Sequence, residues 1–316
     1  MFLRLKTTLV ILIVSTVTAL SQQLPFSNQY LVNRHVLSPA FAGITDNFEA
    51  FVAYQRNTMH FPGGPEYKSI FMSGPVYGNM SLGGSFTKST ITIFDGFSGE
   101  LDYAYHLRVS EKHFVHFGLS FTFNENHIFI DYNQYQSMQN DPFVMWSKKS
   151  LSYGFGLVYT YKTFQLGVAM PRLGEVSLMG DSPQEAYSLG GIIRAHTSLS
   201  IGISPSFSIE PSIIVEKADV EPLWYNVSAL MRIKEITYLE AHYRQGNIMG
   251  FGLGVNPVRK LLIAYSYDLS GTGIMKYSSG IHEISIGFMI GKSGDKPYQR
   301  SAFRSLPKQP YYEWVE

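Results

Sequence analysis

Three histidines stand beside acids that could turn them into catalytic bases. His106 follows Asp102, His242 follows Glu240, and His282 precedes Glu283. A hydrolase needs a nucleophile, a base and an orienting acid within hydrogen-bond reach of one another. Serines are plentiful, but no Gly-x-Ser-x-Gly elbow occurs and the chain has 0 cysteines, so thiol catalysis is excluded. These side chains are therefore expected to be lumen polar groups that satisfy one another. Metal binding fares no better. His113 and His116 are three apart, and on a strand they face opposite walls, as do the adjacent His282 and Glu283. Asp131, Asn133, Asn140 and Asp141 lack the glycine and terminal glutamate of a calcium loop. Gly63-Gly64-Pro65 and Gly83-Gly84 lack the Lys-Ser/Thr ending of a phosphate loop. No catalytic, cofactor or metal site is expected.

The elements that carry these residues alternate large apolar with small or polar side chains. Tyr153-Gly154-Phe155-Gly156-Leu157-Val158-Tyr159-Thr160-Tyr161 is the clearest case. Successive strand residues point to opposite faces, so the segment has one apolar wall and one permissive wall. In a soluble sandwich the apolar wall would face a core; in a transmembrane barrel it would face lipid. Composition favours the barrel. Charged residues make up 16% of the chain, against roughly 25% in ordinary soluble domains. Aromatics reach 15%, with 21 Tyr and 22 Phe, as expected for girdles at two membrane interfaces. A net charge of +1 offers no nucleic-acid footprint.

Period-two reading gives about fourteen strands, with twelve to sixteen allowed, in an all-β, antiparallel, outer-membrane barrel. They fall near 48–56, 68–76, 80–88, 97–108, 113–124, 151–161, 163–170, 187–196, 207–216, 224–233, 237–244, 248–256, 260–268 and 281–290. Residues 197–206 could extend the eighth strand, form a short extra one, or be loop. In three segments the charged wall is explicit. Asp102, Ala104, His106 and Arg108 oppose Leu101, Tyr103, Tyr105 and Leu107. Glu240, His242 and Arg244 oppose Leu239, Ala241 and Tyr243, and Glu283 and Ser285 oppose Ile284 and Ile286. Arginine at Ala241 should therefore harm assembly far more than arginine at His242. Tyr161 to Thr163 and Arg232 to Glu235 read as tight reversals, and Asn124 to Ser150 as a long extracellular loop. Glycines at 154, 156, 250, 252 and 254 either follow barrel curvature or leave room for the N-terminal segment or a partner peptide.

The ends divide the chain further. Residues 1–21 read as a signal peptide: Arg4 and Lys6, then an apolar run, then Ala19 and Ser21, with cleavage expected after Ser21. Residues 22–47 precede the 48–290 barrel as a periplasmic or plug segment, since their apolar side chains would otherwise be exposed. Residues 291–316 form a proline-broken tail whose Tyr311, Tyr312 and Trp314 could dock a periplasmic protein.

Several phrases along the chain resemble one family. Phe26-Ser27-Asn28-Gln29-Tyr30 leads into Ser38-Pro39-Ala40-Phe41-Ala42-Gly43, similar to "Q-F-S-Q-Y … N-P-A-Y-A-G". Tyr54-Gln55-Arg56-Asn57 and Phe61-Pro62-Gly63-Gly64-Pro65 resemble "Y-R-N-Q-W … F-x-G-A-P". Tyr265-Ser266-Tyr267-Asp268 and Ser278-Ser279-Gly280-Ile281-His282-Glu283-Ile284 resemble "G-Y-S-Y-D … N-S-G-S-H-E-I". These are phrases of the PorP/SprF family of type IX secretion membrane proteins. Ser38 departs from the usual Asn, and Thr58-Met59-His60 from the usual Gln-Trp. The resemblance implies a non-enzymatic outer-membrane barrel that works with type IX secretion or gliding components. It also implies a partner in the C-terminal domain of a secreted surface protein or adhesin. The motif residues are the implied contact candidates. The reading from the residues alone keeps open a transporter of hydrophobic small molecules.

Overall fold

The computed structural model describes residues 27–28, 30–45, 47–57, 63–128, 147–178, 191–219, 222–270 and 280–291. Fifteen strands form one antiparallel sheet. They are β1 (Phe48–Asn57), β2 (Glu66–Tyr77), β3 (Met80–Ile91), β4 (Phe94–Arg108), β5 (His113–Ile128), β6 (Ser147–Tyr161), β7 (Phe164–Ser177) and β8 (Ile192–Leu199). Next come β9 (Ile201–Ser204), β10 (Phe207–Ala218), β11 (Trp224–Ile233), β12 (Thr237–Arg244), β13 (Ile248–Val258), β14 (Leu261–Ser270) and β15 (Ile281–Ile290). Apart from the β8–β9 step, each strand pairs with its sequence neighbour, and β1 pairs with β15 from Phe48↔Ile290 to Asn57↔Ile281. The sheet therefore closes on itself and no edge is left to solvate, which is the condition for crossing a bilayer with strands. β8 and β9 both pair with β10 and follow one another across Ser200, so they are two pieces of one stave and the barrel has fourteen. That resolves the ambiguity over residues 197–206: the strand runs to Leu199, breaks, and resumes briefly.

The two walls separate as alternation requires. Leu101 is 70% exposed on the outside, while its neighbour Asp102 is 2% exposed within. On β12, Glu240, His242 and Arg244 are buried and Ala241 is exposed. An ion on the outer wall would cost about 2–4 kcal/mol at the bilayer midplane. Tyr153, Tyr225 and Tyr265 stand outside toward one rim, and Tyr77, Tyr103 and Tyr161 toward the other, as paired girdles. The rim that receives β1 and releases β15 carries only short connections, such as Gly78-Asn79, Lys162-Thr163 and Arg259-Lys260. Short turns mark the periplasmic end.

Several strands run further than period two suggests. β5 continues to Ile128 and β6 begins at Ser147, so the expected 124–150 loop loses both flanks to the sheet. β7 passes through Pro171 to Ser177 instead of ending at 170. Proline cannot donate to the ladder, and the register with β6 shifts there, from Phe155↔Met170 to Tyr153↔Gly174. The expected reversal at 232–235 lies slightly later, with Lys234 N–H bonded to Ser206 O and Ile236 N–H to Ile233 O. Residues 187–190 of the expected eighth strand, the 1–26 leader region and the tail beyond 291 lie outside the described residues.

Candidate functional site

The lumen is filled by residues 28 and 30–45. This segment has two single turns of 3-10 helix, Arg34–Val36 and Pro39–Phe41. Ser38 caps the second, its Oγ accepting from Ala40 N–H at 3.2 Å, and Pro39 enters where no donor is needed. Gly43 takes a φ of +63° that L side chains avoid. Tyr30, Leu31, Leu37, Ala40, Phe41 and Ile44 are buried and pack in one cluster with wall residues including Phe114, Val158, Ile214 and Leu230. Apolar groups from a segment without strand period thus replace the water that would otherwise fill the barrel.

Polar contacts fix the segment all round the wall. Glu283 accepts from Ser27 Oγ–H and from Asn28 N–H, each at 2.7 Å. Arg244 Nη2 donates to Asn28 Oδ1 at 2.6 Å. The Tyr30 hydroxyl lies 2.5 Å from Ser228 Oγ. Burial, and then the Glu240 charge, push its pKa above the ordinary phenol value, so it remains a neutral hydrogen-bonding group. Arg34 donates to Gln165 and to Glu210, which also pairs with Arg232 at 3.3 Å. Removing Glu210 would leave two buried guanidiniums without their anion, a loss of about 3–5 kcal/mol for pairs of this kind. Arg194 Nη1 donates to the carbonyls of Val36 and Leu37 at 2.9 and 3.1 Å. His35 Nε2 meets Asp102 Oδ2 at 2.7 Å.

The wall is also shaped to receive the chain. A Cβ added at Gly118 would stand 2.2 Å from Ala40 N, and one at Gly156 would stand 2.1 Å from Ser38 Oγ. Of the lumen glycines singled out from sequence, Gly156 is the one whose missing Cβ admits this segment. Gly250 instead makes room for the His242 ring, Gly252 for Glu240, Gly254 for Ala264 and Tyr238, and Gly154 for Ser120 and the Pro171 bulge.

The three histidines prove to be in different settings. His106 Nε2–H donates to Ala42 O at 3.0 Å, and its Nδ1 meets His116 Nδ1 at 2.9 Å. His116 Nε2 then lies 3.0 Å from Thr160 Oγ1, so the two rings extend one hydrogen-bonded chain from the Ala42 carbonyl to β6. Ser81 Oγ also lies 3.2 Å from His106 Nε2. That hydroxyl is buried beneath the segment, and the ring behind it is an imidazole, not the orienting carboxylate of a triad. His242 lies between Glu240 and Asp268, 3.6 and 3.2 Å away. His282 is on the outer wall, not in the lumen: it shares the phase of Ile284 and Ile286, and its Nδ1 lies 2.6 Å from the Tyr265 hydroxyl. The alternation of β15 requires this, so the expectation that all three histidines are lumen groups fails at His282.

The motif residues fall into two groups. Tyr30, Pro39, Ala40, Phe41 and Gly43 belong to the lumen segment, and Asp268 and Glu283 to the wall that holds its start. Phrases from opposite ends of the chain thus meet. Gly280 belongs with them: a Cβ there would lie 2.4 Å from Asp268 O. Arg56, His282 and Tyr267 stand outside, Arg56 directly across from His282 and the Tyr267 ring 4.8 Å from it. Pro65 O accepts from Asn57 N–H at 2.8 Å, with Gly64 beside it at the extracellular rim. Phe26, Ser279, Tyr311, Tyr312 and Trp314 lie outside the described residues. Arg34 and Gln165 are marked by nothing local, because their partners are far away in the chain; Asn28 lies within a family phrase, but its contacts with Glu283 and Arg244 are equally distant.

None of the curated proteins matches this chain. Among solved structures, it resembles the Acinetobacter baumannii outer membrane protein Omp33, at 8% identity and a TM-score of 0.48, over 78% of this chain and 100% of that one. The Ralstonia pickettii toluene transporter TbuX is similar at 9% identity and a TM-score of 0.47, over 80% and 90% of the two chains. The CymD monoaromatic hydrocarbon channel follows at 11% identity and 0.46, over 86% and 94%. Residues 19–288 match the family described as type IX secretion system membrane protein PorP/SprF, and the chain belongs to that family of outer-membrane barrels.

Proposed function

We propose that this barrel is a non-enzymatic scaffold or surface anchor of the type IX secretion and gliding machinery. The observation that carries this reading is the filled lumen. With residues 28 and 30–45 packed against the wall from Ser81 round to Glu283, the surfaces left for work are the rims, loops and outer wall. Such surfaces suit protein partners: the C-terminal domain of a secreted surface protein outside, and a periplasmic component at Tyr311, Tyr312 and Trp314 of the tail. Arg56, Gly64, Pro65 and His282 stand toward the extracellular rim, where the secreted partner would dock. Export would follow signal-peptide removal after Ser21. A passage for hydrophobic small molecules would require a continuous apolar lumen, whereas this wall presents Glu210, Arg232, Glu240 and Arg244 inward.

The test is a deletion strain together with mild-detergent purification of the full-length protein. The expected result is co-purification of secretion or gliding components and of a secreted surface protein, and loss of that surface protein in the deletion strain. An unchanged surface proteome together with impaired uptake of hydrophobic solutes would overturn it in favour of transport.

A further inference from the structure

The contact between His35 and the β4 wall is built differently from the other attachments of the lumen segment. Glu100 and Asp102 are two apart on β4 and so face the same wall. His35 enters from the Arg34–Val36 turn and places one ring nitrogen among them. One donor atom from each of the three lies within 4.8 Å of the others. The His35 and Asp102 side chains are 5% and 0% exposed. Asp102 Oδ2 meets His35, but its Oδ1 is buried with no hydrogen-bond partner among the described residues. One imidazole thus faces two acids, while Arg194 is engaged by Glu216 and by the Val36 and Leu37 carbonyls. The ring's position is fixed by packing: a Cβ on Gly83 would stand 2.8 Å from His35 Cε1, and Phe71 meets the ring edge-on at 6.3 Å.

We propose that His35, Glu100 and Asp102 bind one zinc-class divalent cation that fastens the N-terminal segment to β4. An imidazole nitrogen with two carboxylates suits zinc and its first-row neighbours; calcium and magnesium prefer oxygen alone, and there is no thiolate to select copper(I). A tetrahedral zinc with arms of about 2.0–2.2 Å sets its ligand atoms roughly 3.3–3.6 Å apart. The 2.7 Å His35–Asp102 contact would open slightly, and the wider separations would close. The cation takes the place of the proton shared by His35 and Asp102, which leaves to solvent. It also gives Asp102 Oδ1 the positive partner it lacks.

The test uses the full-length protein, purified in detergent, stripped with chelator and re-exposed to zinc chloride. Elemental analysis after gel filtration should find about one zinc per chain. Asp102→Asn and His35→Gln should retain none above background, and His113→Gln, on the outer wall, should retain as much as the parent. Zinc should raise the unfolding temperature of the parent by several degrees and leave that of Asp102→Asn unmoved. Where a ligand variant fails to assemble, cobalt(II) loading of the parent decides, because a tetrahedral site gives strong visible absorption. Zinc well below one per chain in the parent, as much zinc in both ligand variants as in the parent, or a cobalt spectrum no different from free aqueous cobalt would overturn the assignment.

Discussion

At the scale of single residues, the account rests on how closely the lumen segment meets the wall. Gly118 lies on β5 with its α-carbon against Ala40, and neither side has space to give: Ala40 and Ala42 are both 0% exposed. Valine at 118 would drive its side chain into the Ala40 backbone. Overpacking of this kind costs about 1–3 kcal/mol where neighbours can shift. Here the opposing atoms are main chain, so the expected outcome of Gly118→Val is a displaced segment in an otherwise intact barrel. Limited proteolysis of the purified protein checks this. Cleavage between residues 27 and 45 should become rapid in the variant and stay slow in the parent, and equal protection in both would contradict the contact. A glycine in a strand reads from sequence as a bend or a close approach. Which of the two holds at Gly118 depends on Ala40, far earlier in the chain, and no local pattern states that.

At the scale of elements, alternation decides what each strand can carry. β12 puts Ala241 outside and Glu240, His242 and Arg244 inside. Ala241→Arg should lower barrel stability by about 2–4 kcal/mol if its level is near the midplane. Ala241→Leu should cost nothing comparable. Urea titration of the folded, heat-modifiable species separates them, and equal midpoints would deny a lipid-facing position. Arginine at His242 would also meet a packed lumen, since the His242 ring lies against Gly250 and 3.2 Å from Asp268. The strands were legible because a closed sheet between lipid and lumen imposes one period everywhere. Their ends were less so where Pro171 shifts the β7 register, since a proline in mid-strand reads as a stop until the bulge that accommodates it is seen.

At the scale of the whole molecule, the chain folds back into itself. Asn28, near the start of the described chain, is held by Glu283 near its end, so the family phrases of both termini form one structure. The barrel and its approximate strand number were readable from composition and periodicity, and the apolar residues of 22–47 pointed to a packed segment. Its path was not readable. Two short 3-10 turns have no period to detect, and the anchors of the first, Gln165, Arg194 and Glu210, are scattered over several strands. The central claim is that this segment closes the barrel and makes it a platform instead of a channel. Ionic conductance in planar lipid bilayers tests it most directly, with the full-length protein and a form lacking residues 27–45 measured side by side. The account predicts silence from the full-length protein and open, ohmic steps from the shortened one. Steps of equal size from both would contradict it.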